Sequence, residues 1–295
     1  MLTQISGSQS GKRSTTRLFS KRVSRILTYI FVSALALLMI YPLIWMISAS
    51  FKPESLIFAN FSLSSPQWTL LNYTDGWNAL DFPFTQFFVN SLIICLGAMV
   101  GNIISCSMAA YAFARLRIKF RSFWFALMLG SIMLPAHALI VPQYILFKDL
   151  GWINTFLPMI VPKFLGTDAF FIFLMIQFIR NIPLELDDAA KMDGCGLFTF
   201  YWRIIMPLAL PALVTTAIFT FIWTWNDFFT QLIYLNDTSL YTIPLALSTF
   251  LDSTGTSAYG QLFAMSLLSL VPIIGFFLAF QRLLLNGIST SGLKG

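Results

Sequence analysis

Long apolar stretches alternate with short polar ones along this chain. Apolar runs fall at residues 26–49, 86–114, 122–141, 154–179, 208–229 and 261–285. Each is about as long as the ~20 residues that a helix needs to cross a bilayer. The pattern predicts an all-α membrane protein with six transmembrane helices. The first run follows a polar, Ser/Thr-rich tail at 1–25 and ends in Trp45 and Lys52, as a span does at a membrane interface. It lacks the shorter core and small-residue cleavage site of a removable signal, so it reads as a retained span. The second run carries Gly97, Ala98, Gly101 and Ser105, small residues that let helices approach closely inside a membrane. The third has Pro135 near its outer end and leads into a short loop at 142–153. Pro158, Pro162 and Gly166 interrupt the fourth, and Lys163 and Asp168 lie in the interrupted part. A charge at the bilayer centre costs ~2.5–3.5 kcal/mol even on a lenient scale. Both residues are therefore expected towards the outer interface or facing a wet cavity. Polar loops fill 51–85 and 230–260.

The stretch 180–211, RNIPLELDDAAKMDGCGLFTFYWRIIMPLALP, cannot be a span. Pro183 suits the first position of a helix, where no N–H is needed. Glu185, Asp187 and Asp188 then sit where the helix dipole favours negative charge. Leu186, Ala189, Ala190 and Asp193 share one face by helical spacing. The two alanines should make that face smooth enough for close approach by another surface. Gly194 and Gly196 permit a sharp change of direction. A second short helix follows, with Phe198, Tyr201, Trp202 and Ile205 at helical spacing, and Pro207 and Pro211 mark re-entry into the membrane. The predicted shape is an L of two short helices. A surface linker packed only on its own chain is the plain alternative.

Composition supports the membrane reading: of 295 residues, 57% are hydrophobic and only 10% charged, and a soluble fold could not bury 31 phenylalanines. Charge then sets the orientation. Lys and Arg number six in the tail, four at 115–121, three at Arg180, Lys191 and Arg203, and two at Arg282 and Lys294. The other side holds only Lys52, Lys148 and Lys163. The positive-inside rule places both termini and the 180–207 loop in the cytoplasm. The net charge of +6 is thus orientation and not a nucleic-acid footprint.

No Gly-rich phosphate loop ending in Lys-Ser/Thr is present, so ATP hydrolysis is not expected in this chain. Cys95, Cys106 and Cys195 have neither disulfide nor metal-ligand spacing and read as small packing residues. His137, the only histidine, reads as a polar residue beside the Pro135 kink, without the acidic neighbours of a proton relay. Thr220, Thr224, Asn226 and Asp227 on the fifth run are candidates for a solute path. For the last two an interface-level helix end, with Trp223 and Trp225 as its aromatic belt, is an equal reading. The phenylalanines of the fourth run read as lipid-facing. No paired intramembrane charges and no inverted repeat are evident, which argues against a secondary transporter or channel working alone. A membrane scaffold for a signalling complex would need the loop but no wet path.

Asp188-Ala189-Ala190, then Gly194 after three intervening residues, with Ile204, Met206 and Pro207 beyond it, resembles the EAA loop of bacterial ABC importer permeases. The first acid is aspartate where the family has glutamate, and Met206 stands for a leucine. YPLIWMISASFKP, the NSL at 90–92, AAYAFARLRI, TWNDFF and QRLLLNGISTSGLKG are similar, in this order, to the second membrane subunit of maltose-type carbohydrate importers. The resemblance implies an ABC type I importer permease domain over 26–295 in the bacterial cytoplasmic (inner) membrane. It implies a heterodimer with a second permease, two ATP-binding cassette subunits and an extracytoplasmic binding protein. It makes this chain a non-catalytic subunit that binds no cofactor, with ATP and Mg held by its partners. By motif match, Asp188, Ala189, Ala190, Asp193, Gly194 and Pro207 would meet the ATPase subunits. Gly287, Ser291, Gly292 and Lys294, in the tail 286–295, would reach between them. The loop 230–260 corresponds to a segment that enters the binding protein. The substrate stays open among a neutral malto-oligosaccharide-like sugar, an acidic alginate-like uronate oligomer and a glycerol phosphate-type solute.

Overall fold

The computed structural model describes residues 10–59, 61–252 and 258–291. Among these there is no strand, and the order is helical throughout. Helix α1 spans Ser10–Ser50, and two short helices, α2 (Glu54–Ile57) and α3 (Leu71–Trp77), follow it. Then come α4 (Phe84–Arg115), α5 (Arg121–Ile132), α6 (Ala136–Asp149) and α7 (Leu157–Ile160). A 3-10 segment at Val161–Leu165 leads to α8 (Ala169–Arg180), α9 (Glu185–Met192) and α10 (Leu197–Phe200). A π-helical segment, Tyr201–Ile205, runs into α11 (Met206–Leu208) and α12 (Leu210–Trp225). Helices α13 (Phe229–Tyr234), α14 (Ile243–Asp252) and α15 (Tyr259–Ser291) end the chain.

Helices α2, α4 and α6 each start directly after a proline, Pro53, Pro83 and Pro135. The fixed φ of proline and the extended ψ that follows stop the preceding segment and aim the chain into a new helix. Four stretches, Ser24–Ser50, Phe84–Arg115, Leu157–Arg180 and Tyr259–Leu283, are long and apolar enough to cross a membrane, and two bent helix pairs bring the number to as many as six.

The third apolar run departs from expectation. It is not one straight helix at 122–141 followed by a loop, but two helices, α5 and α6, bent by 103°. Pro135 removes an N–H and keeps the preceding residue out of helical geometry. Pro142, expected in the loop, lies inside α6, which continues to Asp149. His137 sits just past this bend, edge-on to the Phe229 ring at 5.0 Å. The second arm of the 180–211 unit meets the fifth run at a bend of 76°, between Leu197–Leu208 and Leu210–Trp225, where Pro207 and Pro211 mark re-entry. The stretch 230–260, expected as a polar loop, is mostly helix. Ile243, Leu245, Ala246 and Phe250 of α14 are buried. Asn90 Nδ2 donates to the carbonyls of Ser239 and Tyr241, and Ser91 Oγ accepts from Ile243 N, so the NSL segment of α4 holds this region down.

Helix α4 is the centre of the fold and packs on α8, α12 and the 3-10 segment. Its glycines set the approach. A Cβ at Gly101 would lie 2.7 Å from a ring carbon of Phe164 and 3.0 Å from the Lys163 backbone, so only glycine fits there. One apolar cluster joins α4, α8 and the 190–213 region, including Ala110, Met175, Ile179 and Ile205. A second, with Phe84, Phe87, Phe221 and Trp225, lies towards the other end of α4 against α12, α14 and α15. By contrast α1 shows its apolar side chains, Leu37, Leu38 and Met39 among them, on the outside of the molecule.

Candidate functional site

Two features stand apart from the packing. The first is the unit α9 to α11. The expected L exists, and its corner is a Schellman cap. Gly194 takes φ +68°. Its N–H donates to the Lys191 carbonyl (3.0 Å), and Cys195 N–H donates to Ala190 (2.8 Å). These bonds satisfy carbonyls that the end of α9 would leave open. Only Gly194 needs the left-handed region, since Gly196 is extended with φ −70°. The second arm is not a plain helix but passes through the π-helical segment, with Tyr201 and Ile205 buried and Phe198 and Trp202 exposed.

Asp188, Ala189, Asp193, Gly194 and Pro207 are all exposed. Asp188 pairs only with Lys191 of its own helix, at 3.1 Å, an exposed contact that holds little energy. Ala190 departs from expectation. It is buried in its own chain's core, so the smooth face is narrower than the spacing suggests. Adjacent residues on a helix point ~100° apart, and the second alanine has turned inward. Around the corner Leu184, Met192, Leu197 and Phe198 form an exposed apolar rim.

Arg115, which reads in the sequence as one more solvated basic residue, is the strongest hold on this unit. Its side chain is 2% exposed and lies 2.9 Å from the Asp187 carboxylate. The contact is close but off-axis, an ion pair without hydrogen-bond alignment, and Arg115 Nε has no partner. Nη2 donates to the carbonyls of Ile179 and Ile182 at the end of α8. One and two turns earlier on α4, Tyr111 donates to the Leu197 carbonyl (3.2 Å) and the Ser107 hydroxyl meets that of Tyr201 (2.7 Å).

The second feature is a polar cluster within the bundle. Lys163 and Asp168 form an ion pair at 2.8 Å, contrary to the expectation of no intramembrane charge pair. They are five residues apart, and Gly166, at φ +66°, turns the chain so that they meet. Asn102 of α4 donates to the Asp168 carboxylate and to Thr220 Oγ1 of α12. Asp168 precedes α8, yet its carboxylate makes no cap bond to that helix because these partners occupy it. Asp168 also lines a cavity of about 200 Å³ with Ser131, Thr167, Phe170 and Trp223. Asp168 lines the cavity itself, and Lys163 reaches it only through the ion pair.

Of the four residues named for a path, only Thr220 joins this cluster. Thr224 lends its carbonyl to Gln231. Asn226 donates back to the Ile222 carbonyl, and Asp227 accepts from Thr230 N, as residues at a helix end do. The phenylalanines of the fourth run divide. Phe171 is buried and Phe170 exposed, yet both line the cavity and meet Trp223 in tilted contacts, with centroids at 5.2 and 5.5 Å. Gly287 and Ser291 lie in the last turns of α15, and Gly292 and Lys294 fall outside the described residues.

Residues 101–289 match the family described as binding-protein-dependent transport system inner membrane component. The chain is 33% identical to the probable ABC transporter permease protein YurM of Bacillus subtilis, over 90% of this chain and 88% of that one. It is 31% identical to the arabinooligosaccharides transport system permease protein AraQ of Halalkalibacterium halodurans, over 93% and 99%. With the trehalose/maltose transport system permease protein MalG of Thermococcus litoralis it shares 30% identity over 92% and 98%. Its fold is similar to that of a chain in the crystal structure of a bacterial ABC transporter involved in the import of the acidic polysaccharide alginate, with TM-score 0.79, 22% identity, and 95% and 99% of the two chains covered. The chain belongs to the family of binding-protein-dependent transport system inner membrane components, the permeases of ABC transporters.

Proposed function

We propose that this chain is a permease subunit of an ATP-driven oligosaccharide importer and couples its solute path to cytoplasmic ATPase subunits through α9 and the Gly194 corner. The observation that carries this reading is the exposed acidic unit at 185–198, capped at Gly194 and gripped from within by Arg115. An acidic helix with an apolar rim, fixed to the bundle, suits a soluble partner better than it suits lipid. Relatives named for trehalose/maltose and arabinooligosaccharides support the solute class. Six spans with both termini in the cytoplasm follow from the charge distribution. A second permease completes the path, two ATP-binding cassette subunits hold ATP and Mg, and a binding protein delivers the solute from outside. This chain itself binds no cofactor.

The cavity favours a neutral saccharide. Its wall offers Phe170 and Trp223 rings beside Asp168, Thr167 and Ser131, a mixture that suits the apolar face and hydroxyls of a sugar. Lys163 is already paired with Asp168, which leaves the cluster close to neutral and without a spare cation for a uronate.

The experiment is uptake into vesicles that hold the complete transporter, with neutral, uronate and glycerol phosphate-type solutes. ATP-dependent uptake of a neutral oligosaccharide is the expected result. The Lys163–Asp168 pair is the one observation that favours a transporter working alone. Uptake driven by an ion gradient, without ATP, would establish that reading instead.

A further inference from the structure

We propose that α4 is the lever of the coupling unit and that Arg115 is the positioning residue that fastens it. This inference rests on the coupling role proposed above. Ser107, Tyr111 and Arg115 lie four residues apart and so form one stripe on α4. Arg115 takes the first arm of the L through Asp187 and the end of α8 through Ile179 and Ile182. Tyr111 and Ser107 take the second arm, beyond Gly194, through Leu197 and Tyr201. Both arms are therefore tied to one helix, and the corner cannot move without it.

The same helix reaches the polar cluster. Asn102 lies about 20 Å along α4 from Arg115, at 1.5 Å per residue, and holds both Asp168 and Thr220. Two unbroken helices link the coupling unit to that cluster: α4, to which both arms of the L are tied, and α8, which starts directly after Asp168 and whose end Arg115 holds. The 3-10 segment and Gly166, at φ +66°, lie beyond Asp168, on the side away from the coupling unit. The fifth span meets the coupling unit at a bend of 76°. A push on α9 is absorbed at such a bend but passes along a continuous helix. The Arg115–Asp187 contact also has room to tighten. Nη1 lies close to the Asp187 carboxylate but off-axis, and a small rotation of α9 would align that hydrogen bond.

The test uses the complete reconstituted transporter and reads solute taken up per ATP hydrolysed. Arg115→Gln and Asp187→Asn should each lower that ratio about tenfold while the ATPase subunits still co-purify and hydrolyse ATP. The double variant should be no worse than Arg115→Gln alone, because Asp187 acts through Arg115. Arg115→Lys should restore part of the ratio, since it returns the charge without the planar group that also holds the carbonyls of Ile179 and Ile182. Tyr111→Phe keeps the ring and loses only the bond to Leu197. It should lower the ratio about threefold, the scale of one neutral hydrogen bond, and it carries the test where the charge variants do not assemble. An unchanged ratio in Arg115→Gln or in Tyr111→Phe, or multiplied losses in the double variant, would overturn the lever. Failure of the coupling role looks different. Gly194→Val would then behave as the unaltered chain does, whereas failure of the lever alone leaves Gly194→Val defective and Arg115→Gln normal.

Discussion

Replacing Gly194 with valine should cut solute-stimulated ATP hydrolysis about tenfold or more, while Gly194→Asn should keep most of it. Space is not the reason, since a Cβ at this position would meet nothing within 4 Å. The backbone is. At φ +68° an L-residue is strained by roughly 1–2 kcal/mol, and a β-branched one suffers most. Asparagine enters this region more readily than other residues with a Cβ. If valine releases the corner, the bonds from Gly194 to Lys191 and from Cys195 to Ala190 are lost together, and the angle between the two arms is no longer set. The measurement is ATP hydrolysis by the reconstituted complex with and without binding protein and solute. Because the rest of the chain is untouched, the complex should still assemble, and basal hydrolysis should persist.

The second large effect is expected at Asp168. Asp168→Ala should lower uptake about tenfold or more, with ATP hydrolysis by the complex maintained. The variant leaves Lys163 charged beside the cavity with no carboxylate, and removes the acceptor that Asn102 uses. One partner lost from a fully buried pair costs ~3–5 kcal/mol. Here the two side chains are 29% and 27% exposed, so water offsets part of that cost. The double variant Lys163→Ala/Asp168→Ala separates the two consequences. Removing both charges should recover the thermal stability lost in the single variant, because no lone charge remains. Uptake should stay low, because a group that meets the solute is still missing. Recovery of uptake together with stability would make the pair a purely structural element.

Much of this architecture is legible in the chain. The apolar runs mark the helices, and the interrupted fourth span is announced by Pro158, Pro162 and Gly166. The corner at Gly194 follows from a glycine placed after an acidic amphipathic turn. What is not legible depends on contacts distant in sequence. Arg115 ends an apolar helix amid other basic residues, as solvated charges do, and only the fold shows Asp187 and the end of α8 closing over it. Lys163 and Asp168 are five residues apart, a spacing that places no pair together on a regular helix. Gly166, in the left-handed region at φ +66°, breaks the regular helical course between them. The two alanines of α9 look equivalent in sequence, yet the rotation of the helix on the core assigns Ala189 to the surface and Ala190 to the interior. The stretch 230–260 carries enough Asn, Asp and Pro to look like a loop. Burial of Ile243, Leu245 and Phe250 against neighbouring helices outweighs those local signals. The π-helical turn at Tyr201–Ile205 has no sequence signature in this chain, and the contact of Ser107 with Tyr201 that accompanies it is again one between residues distant in sequence.

That α9 and its corner meet the ATPase subunits is tested most directly by cross-linking from Met192, the most exposed apolar side chain of the corner at 87%. Cys95 and Cys106 are buried, so Cys195→Ser with Met192→Cys leaves one accessible thiol among the described residues. In the complete transporter a short thiol-reactive cross-linker should join this position to the ATP-binding cassette subunit, with a yield that changes when ATP is added. An assembled complex in which Met192→Cys is reactive towards a soluble thiol reagent but joins to no ATPase subunit, with or without nucleotide, would contradict the account.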